Sequence, residues 1–292
     1  MKQQWTIGSI LNWTKQYFSE KGVDNPRLDA EVLLCHVLKL DRLHLYVQFD
    51  RPLNREELAR FRELVKLRAQ RIPVAYILGV KEFMGLAFKV TPATLIPRPD
   101  TEILVEWVLG RLPAASQAAI LDVGTGSGAI IISILTKRPY CHGTGVDISA
   151  AAIAVARENA RQLGVADRLT FRTGNLFAPV AGQQFDVIVS NPPYIPTAAL
   201  ATLAPEVQRE PRQALAGGVD GLDFYRQIIA QAPKYLRPGG LLALEIGIGQ
   251  AGPVAALARQ TDNGLQLVAI EKDYAGIERV IAFSLADREA DK

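Results

Sequence analysis

Apolar positions recur at helical spacing in the first third of the chain and gather into short runs after it. Ile7, Ile10, Leu11, Tyr17 and Phe18 fall on one helical face. Asn25-Pro26 predicts an N-cap and a first-turn proline, opening an apolar stretch from Leu28 to Leu40 broken by Asp29, Glu31 and Lys39. Asn54-Arg55-Glu56-Glu57 predicts a capping box for a helix reaching about Arg71, with Leu58, Phe61, Leu64 and Val65 on one side. Pro73 ends that helix. Residues 74–97 then read as β-prone through Val74, Tyr76, Ile77, Phe83, Leu86, Phe88 and Val90, with turns at Gly79 and Gly85. A hairpin or short linker is expected there, closing at Ile96-Pro97-Arg98-Pro99. A new helix is expected from Asp100-Thr101, carrying Ile103, Leu104, Val105 and Trp107.

From residue 118 the pattern alternates. Apolar runs occupy Ala119–Val123, Gly143–Val146, Leu169–Phe171, Phe185–Val189, Leu241–Ile246 and Leu265–Ile270. Helical stretches such as Ala150–Leu163 and Asp223–Tyr235 lie between them. Strand, helix and strand in succession predict an α/β fold with a mostly parallel sheet covered on both faces. No internal repeat or low-complexity tract interrupts it, and a module boundary is expected within residues 75–100.

Composition narrows the class. The chain has 292 residues, 49% hydrophobic and 22% charged, which excludes a disordered or collagen-like protein. Two cysteines, Cys35 and Cys141, exclude a disulfide framework and a cysteine-rich zinc site, and both are expected in the core. His36, His44 and His142 lack metal-ligand spacing; no metal is expected. No apolar run reaches the ~18–20 residues that span a bilayer, and no apolar segment follows Met1–Trp5. A cytoplasmic protein that does not engage membranes is expected. Charge is uneven: residues 1–99 hold 16 basic and 10 acidic side chains, residues 100–292 hold 17 and 20. The basic part suits either a solvated helical surface or an acidic or nucleic-acid partner.

Candidate chemistry begins at Ile120-Leu121-Asp122-Val123-Gly124-Thr125-Gly126-Ser127-Gly128, a strand running into a glycine-rich turn before a helix. Glycines permit a tight turn and a close approach of backbone to ligand. Asp147 ends the next strand, 21 residues after Gly126, where an acid accepts ribose hydroxyls. The dinucleotide spacing would need glycine at Ala129, and no Walker lysine follows. The loop resembles the S-adenosylmethionine site of Rossmann-like methyltransferases. That resemblance extends the cofactor set, Gly124 to Gly128 and Asp147, to Asn175, Leu176 and Phe177. Asn175 stands where an acid often binds the adenine amino group, and its side-chain oxygen still accepts. Leu176 and Phe177 are candidates to flank the ring.

Asn191-Pro192-Pro193-Tyr194 follows the strand Val187–Val189. Two prolines fix φ and remove two N–H donors, leaving a stiff turn rich in acceptors. Asn191 adds a side-chain carbonyl and Tyr194 a flat aromatic face. Such a turn suits a planar –NH2 conjugated to a π-system. Acceptance of its N–H groups by Asn191 Oδ1 and the Pro192 carbonyl orients the nitrogen and favours positive charge developing during methyl transfer. Asn191, Pro192 and Tyr194 are the candidate catalytic residues. Asn191, Pro192, Pro193 and Tyr194 are the candidate substrate-binding set, and Asn191 is also placed next to the cofactor. The tetrapeptide leaves two acceptors open: adenine in nucleic acid and glutamine in protein.

Further strings follow: Arg71-Ile72-Pro73-Val74-Ala75-Tyr76-Ile77-Leu78-Gly79, Glu82-Phe83-Met84-Gly85-Leu86, Leu95 to Glu102, Glu210-Pro211, Gly217-Gly218, Asp220-Gly221-Leu222-Asp223, Tyr225-Arg226, Pro238-Gly239-Gly240, Glu245-Ile246-Gly247 and Lys272 to Gly276. Together, from about residue 71 to 283, they closely resemble the peptide chain release factor N5-glutamine methyltransferases. The resemblance implies a Rossmann-like methyltransferase domain with a seven-stranded, mostly parallel sheet, a small all-helical N-terminal domain and a short β linker. It implies the boundaries 1–73 for helical substrate docking, 74–99 for a β-hairpin linker and 100–292 for the methyltransferase domain. It implies methylation of the glutamine in the Gly-Gly-Gln motif of class 1 release factors, leaving S-adenosylhomocysteine, by a monomer without a direct nucleic-acid substrate. The alternatives are a glutamine methyltransferase of a ribosomal protein, a nucleic-acid adenine methyltransferase and a cofactor-binding module without catalysis. Pro97–Glu102 reads either as lining for the glutamine or as an Arg98 ion pair with an Asp100 or Thr101 helix cap. Glu245 reads as a solvated strand end, and His36 and His44 as surface or packing residues.

Overall fold

The apolar spacing of the first third closes into α1 (Ile7–Glu20), α2 (Pro26–Leu38), α3 (Arg42–Val47), α4 (Arg55–Ala69) and α5 (Val74–Leu78). The computed structural model describes residues 4–286. Its chain forms two compact units, the first running to Gly79 and including the later segment Ala204–Arg209. Ile7, Phe18, Leu33, Leu34, Leu45 and Phe61 make the core of this helical unit. The Asn54 capping box forms as expected: Glu57 N–H donates to Asn54 Oδ1 and Asn54 N–H to Glu57 Oε2, each at 2.9 Å. Asn25 precedes α2 without a side-chain cap, so the fixed φ of Pro26 starts that helix. The six-residue α3, capped by Asp41, is too short to show periodicity in sequence.

Residues 74–78 depart from expectation by forming a helix. Val74, Ile77 and Leu78 pack partly buried on the helical core. Such burial is worth on the order of 1 kcal/mol per side chain, more in sum than the ~1 kcal/mol span of strand propensities. Gly79, at φ 72°, ends α5. The hairpin is correspondingly short, β1 (Val80–Phe83) and β2 (Leu86–Lys89), turning through Met84 and Gly85, both at positive φ.

The helical unit holds a dense ionic cluster that includes the later segment Ala204–Arg209. Arg68, 4% exposed, donates to Asp29 Oδ2 and Glu206 Oε1, each at 2.7 Å. Arg71 Nη2 donates to Glu206 Oε2 at 2.6 Å. Burial acts to raise the Glu206 pKa, but Arg71 and Arg68 prevail and hold it down at about 2.

The second unit contains the hairpin, α6 (Glu102–Arg111), β3 (Ala119–Val123), α7 (Ala129–Lys137), β4 (His142–Asp147), α8 (Ala150–Gln162), β5 (Leu169–Thr173), β6 (Phe185–Ser190), α9 (Asp223–Gln231), β7 (Leu236–Glu245), α10 (Ala251–Thr261), β8 (Leu265–Lys272) and β9 (Glu278–Leu285). Seven strands make one sheet in the order β5-β4-β3-β6-β7-β9-β8, with only β9 running against its neighbours. The expected α/β architecture is thus present. β9 was not foreseen: its buried run Val280–Phe283 lies beyond the last alternating segment read from sequence. Helices α6, α7 and α8 contribute to the core on one face, α9 and α10 to the core on the other. The hairpin is pinned to this unit by the fully buried Asn159, which accepts from Lys89 N–H at 2.8 Å and donates to Lys89 O at 3.0 Å. No helix among the described residues is long and apolar enough to cross a membrane.

Glu206→Gln should lower stability at pH 7 by about 1–3 kcal/mol, because it weakens charged hydrogen bonds to a buried arginine. The folded-state pKa lies below its ordinary value, so the contribution is intact above pH 5 and fades as pH falls toward 2. Denaturation curves of both proteins at pH 7 and pH 3 should show the gap narrowing.

Candidate active site

Strand order reverses between β3 and β6. From β3 the sheet grows one way through β4 and β5, and from β6 the other way through β7. Ile120 pairs with Val187, Leu121 with Ile188 and Asp122 with Val189, in parallel. Gly124 and Asn191 each lie two residues past the Asp122–Val189 pair, so the glycine loop and the proline turn leave the sheet side by side. Carboxyl ends at such a switch point are where open α/β sheets bind ligands. A cleft of about 230 Å³ opens there, lined by Gly124, Gly126, Asp147, Asn175, Leu176, Asn191, Pro192 and Pro193 among others.

The loop is held by its neighbour strand. Gly124 and Thr125 N–H donate to Val146 O at 2.8 and 2.9 Å. Gly126, in the left-handed region at φ 56°, donates to Asp147 Oδ2 at 2.9 Å. Ser149 N–H donates to the other oxygen, Oδ1, at 2.8 Å. Asp147 thus fastens two loops while keeping a lone pair free on each oxygen. Burial pushes its pKa up despite those donors. Beneath the loop, Asp122 is fully buried and accepts from Thr125 Oγ1 at 2.7 Å, while its Oδ1 has no partner. Burial pushes its pKa up to about 7, against the pull of the Thr125 hydroxyl.

The proline turn is anchored at both ends. Ser190 Oγ donates to Val123 O at 2.6 Å, joining the ends of β6 and β3. Asn191 Nδ2 donates to Thr101 Oγ1 at 3.3 Å. Behind the turn, Gln250 Nε2 donates to Tyr194 O at 3.1 Å, and Gln250 Oε1 accepts from Gly247 N–H at 2.9 Å. A Cβ on Gly217 would lie 2.7 Å from Tyr194 Cα, and one on Gly221 would lie 2.3 Å from Tyr194 O. The glycines that follow the tetrapeptide are the space its backbone occupies. Burial, reinforced by nearby Glu245, pushes the Tyr194 hydroxyl pKa up to about 12.

Several expected residues sit elsewhere. Phe177 is a correction: its ring is fully buried in the core and stacks on Tyr235 with centroids 4.7 Å apart. Leu176, at φ 46°, makes the turn that sends it there and leaves Asn175 and Leu176 on the cleft. Thr125, Ser127 and Gly128 shape the loop from within: Thr125 and Ser127 are buried, and Ser127 O accepts from Asn159 Nδ2 at 2.8 Å. Tyr194 packs behind the turn rather than among the cleft lining. Arg98 takes the ion-pair reading, with Glu210, whose Oε2 also accepts from Ile96 N–H at 2.9 Å. Neither Asp100 nor Thr101 caps a helix: Asp100 pairs with Arg279 at 2.8 Å and Thr101 makes no capping bond. Cys141 is buried as expected and Cys35 only partly.

Sequence reasoning missed Glu245. Instead of a solvated strand end it is 2% exposed, and Oε2 has no partner. Burial raises its pKa to about 7, against the influence of the neighbouring Thr101 hydroxyl and Asn191 amide, which favour the charged form. Its only sequence signal was the position, an acid at the carboxyl end of a strand next to the switch point. No group of three or more possible metal ligands occurs among the described residues.

Known proteins bear on this geometry. Residues 9–79 match the family described as PrmC N-terminal domain, and residues 114–271 match the family described as Methyltransferase domain. A release factor glutamine methyltransferase of Geobacter sulfurreducens is 53% identical over 95% of this chain and 96% of its own. One from Moorella thermoacetica is 48% identical over 94% and 96%. A methyltransferase of Pyrococcus furiosus of known structure, 19% identical, superposes with a TM-score of 0.52 over 69% of this chain and 90% of its own, a likeness of fold alone. Identity at this level across nearly the full length places the chain in one group: it belongs to the release factor glutamine methyltransferase family.

Proposed function

We propose that the protein transfers a methyl group from S-adenosylmethionine to the side-chain amide nitrogen, N5, of the glutamine in the Gly-Gly-Gln motif of class 1 release factors. The observation that carries this reading is the parallel β3–β6 register, which sets the glycine loop beside the Asn-Pro-Pro-Tyr turn. Full-length similarity to release factor glutamine methyltransferases supports the choice of acceptor.

The residues present suit the cofactor. Asp147 offers one unused lone pair on each oxygen to a pair of ribose hydroxyls. Ile148 and Leu176 give apolar flanks for a flat ring, with Asn175 alongside as a polar partner. Asp122 below the loop, with an orphaned oxygen and a pKa raised by burial, is held in its charged form by a cationic ligand above it, so the two charges favour each other. When bound, S-adenosylmethionine supplies a methyl group on positively charged sulfur, an electrophile that needs no prior activation.

The chain's own groups do the rest. Asn191 Oδ1 and the Pro192 carbonyl accept the N–H groups of the glutamine amide and orient its nitrogen. As that nitrogen gains positive charge, both bonds strengthen, so they favour the transition state over the ground state; the methylated nitrogen then loses one of its two hydrogens as a proton to solvent as the sulfur leaves neutral. The prolines keep the acceptors from relaxing, and Gln250 and the flanking glycines hold Tyr194 in place behind them. The helical unit docks the protein substrate through its basic surface. The enzyme acts as a cytoplasmic monomer, with protein and not nucleic acid as its substrate.

The test is incubation with labelled S-adenosylmethionine and three acceptors: unmodified release factor, its Gln→Ala variant in the Gly-Gly-Gln loop, and total RNA plus DNA. Mass spectrometry should find one methyl on that glutamine and none in the variant; label in nucleic acid instead would overturn the choice of acceptor. Asn191→Ala should lower kcat about 100-fold or more, with a much smaller loss of cofactor affinity in calorimetry. Asp147→Ala should do the reverse in calorimetry, weakening cofactor binding about tenfold or more through loss of charged acceptors and of the Gly126 tether.

A further inference from the structure

Asn191 acts only if its side-chain carbonyl, and not its NH2, faces the substrate. The two ends of an amide are nearly equal in shape, so shape alone does not choose between them. The choice has to come from hydrogen bonding on the protein side. There, Asn191 Nδ2 donates to Thr101 Oγ1 at 3.3 Å. Beside Asn191 lies Glu245: Ser190 pairs with Leu244 in the parallel β6–β7 register, so the next residues, Asn191 and Glu245, leave the two strands side by side, and Glu245 is 2% exposed, with Oε2 buried and without a partner. A buried orphan acceptor is costly unless it serves a purpose.

We infer that Glu245 is a positioning residue: its carboxylate, acting with Thr101, turns the Asn191 NH2 inward and so holds Oδ1 toward the cleft. The inference rests on the role proposed above for Asn191 and deepens it. An ionised carboxylate only accepts. The Thr101 hydroxyl and the Asn191 NH2, itself bonded to Thr101 Oγ1, are the donors that favour its charged form, and a flipped Asn191 would turn an oxygen toward it. Once protonated, Glu245 donates, and the flipped amide becomes acceptable. Glu245 is therefore needed in its charged form.

The surroundings set where that form is lost. Burial is the largest influence and Asp100 adds to it, while Thr101, Arg279 and Asn191 favour the charge. Arg279 is shared with Asp100 at 2.8 Å and Asp273 at 2.9 Å. Tyr194 and Tyr225 face the carboxylate as neutral phenols, their own ionisation suppressed by burial and by Glu245. The balance puts Glu245 at about 7. Activity should rise with pH through that value.

The test compares wild type, Glu245→Gln and Thr101→Val in the full-length protein. Glu245→Gln should lower kcat about tenfold or more, leave calorimetric cofactor affinity within about twofold, and abolish the acid limb of the kcat profile. Thr101→Val, which retains the carboxylate, should lower kcat and keep the limb. In wild type, the Asn191 side-chain NH2 resonances should titrate near pH 7 without any substrate present, and they report even if the acceptor is misassigned or Glu245→Gln fails to fold. Resonances that do not move would overturn the inference. So would wild-type kcat in Glu245→Gln, or an acid limb that persists there, which would assign the limb to Asp122 at about the same pKa. Parallel loss of cofactor affinity and kcat would reduce Glu245 to a structural role.

Discussion

Three paired positions, Ile120–Val187, Leu121–Ile188 and Asp122–Val189, fix where everything else in the catalytic unit sits. A one-residue slip between β3 and β6 would reverse the faces of the side chains and separate the glycine loop from the proline turn. Both strands are buried on both faces, so such a slip would also turn Asp122 away from its bond with Thr125 and into the opposite core. Ser190, donating to Val123 O, locks the pairing at its carboxyl end, and two further bonds, from Gly124 and Thr125 N–H to Val146 O, tie the loop to β4. Rigidity at the switch point is thus built from backbone pairing, with side chains added afterwards.

Three carboxylates stand at this rim on three strands: Asp122 on β3, Asp147 ending β4 and Glu245 ending β7. Each is raised by burial. Desolvated acids are costly unless something offsets them. Asp147 is offset by two backbone donors, whereas Asp122 and Glu245 each keep an orphan oxygen. That pattern is what a site built around a positive charge would show. The acids differ in reach: Asp147 lines the cleft, and the other two act through a neighbour, Thr125 in one case and Asn191 with Thr101 in the other.

What could be read from sequence was local. Glycines at positive φ and an acid a fixed distance on are demands of a tight turn, so Gly124, Gly126 and Asp147 were visible without the fold. Two prolines after an apolar strand identified a stiff turn for the same reason. Glu245 was hidden because its burial comes from β9 and from Thr101, 144 residues earlier. Phe177 was misplaced because the left-handed backbone of Leu176 swings it into the core, and alternation of polar and apolar residues carries no sign of that. Residues 74–78 looked extended because their side chains favour strands; packing against helices decided otherwise.

The reversed direction of β9 has a practical consequence. Its first residues lie beside Glu245, since Val280 pairs with it, and the strand then runs back along the sheet until Ser284 meets Leu241 and Leu285 meets Leu265. The strand therefore ends at the edge of the sheet opposite the cleft. A fluorophore carried on a cysteine substituted for Ser284, half-buried near that end of the strand, would sit at the edge of the sheet away from the cleft.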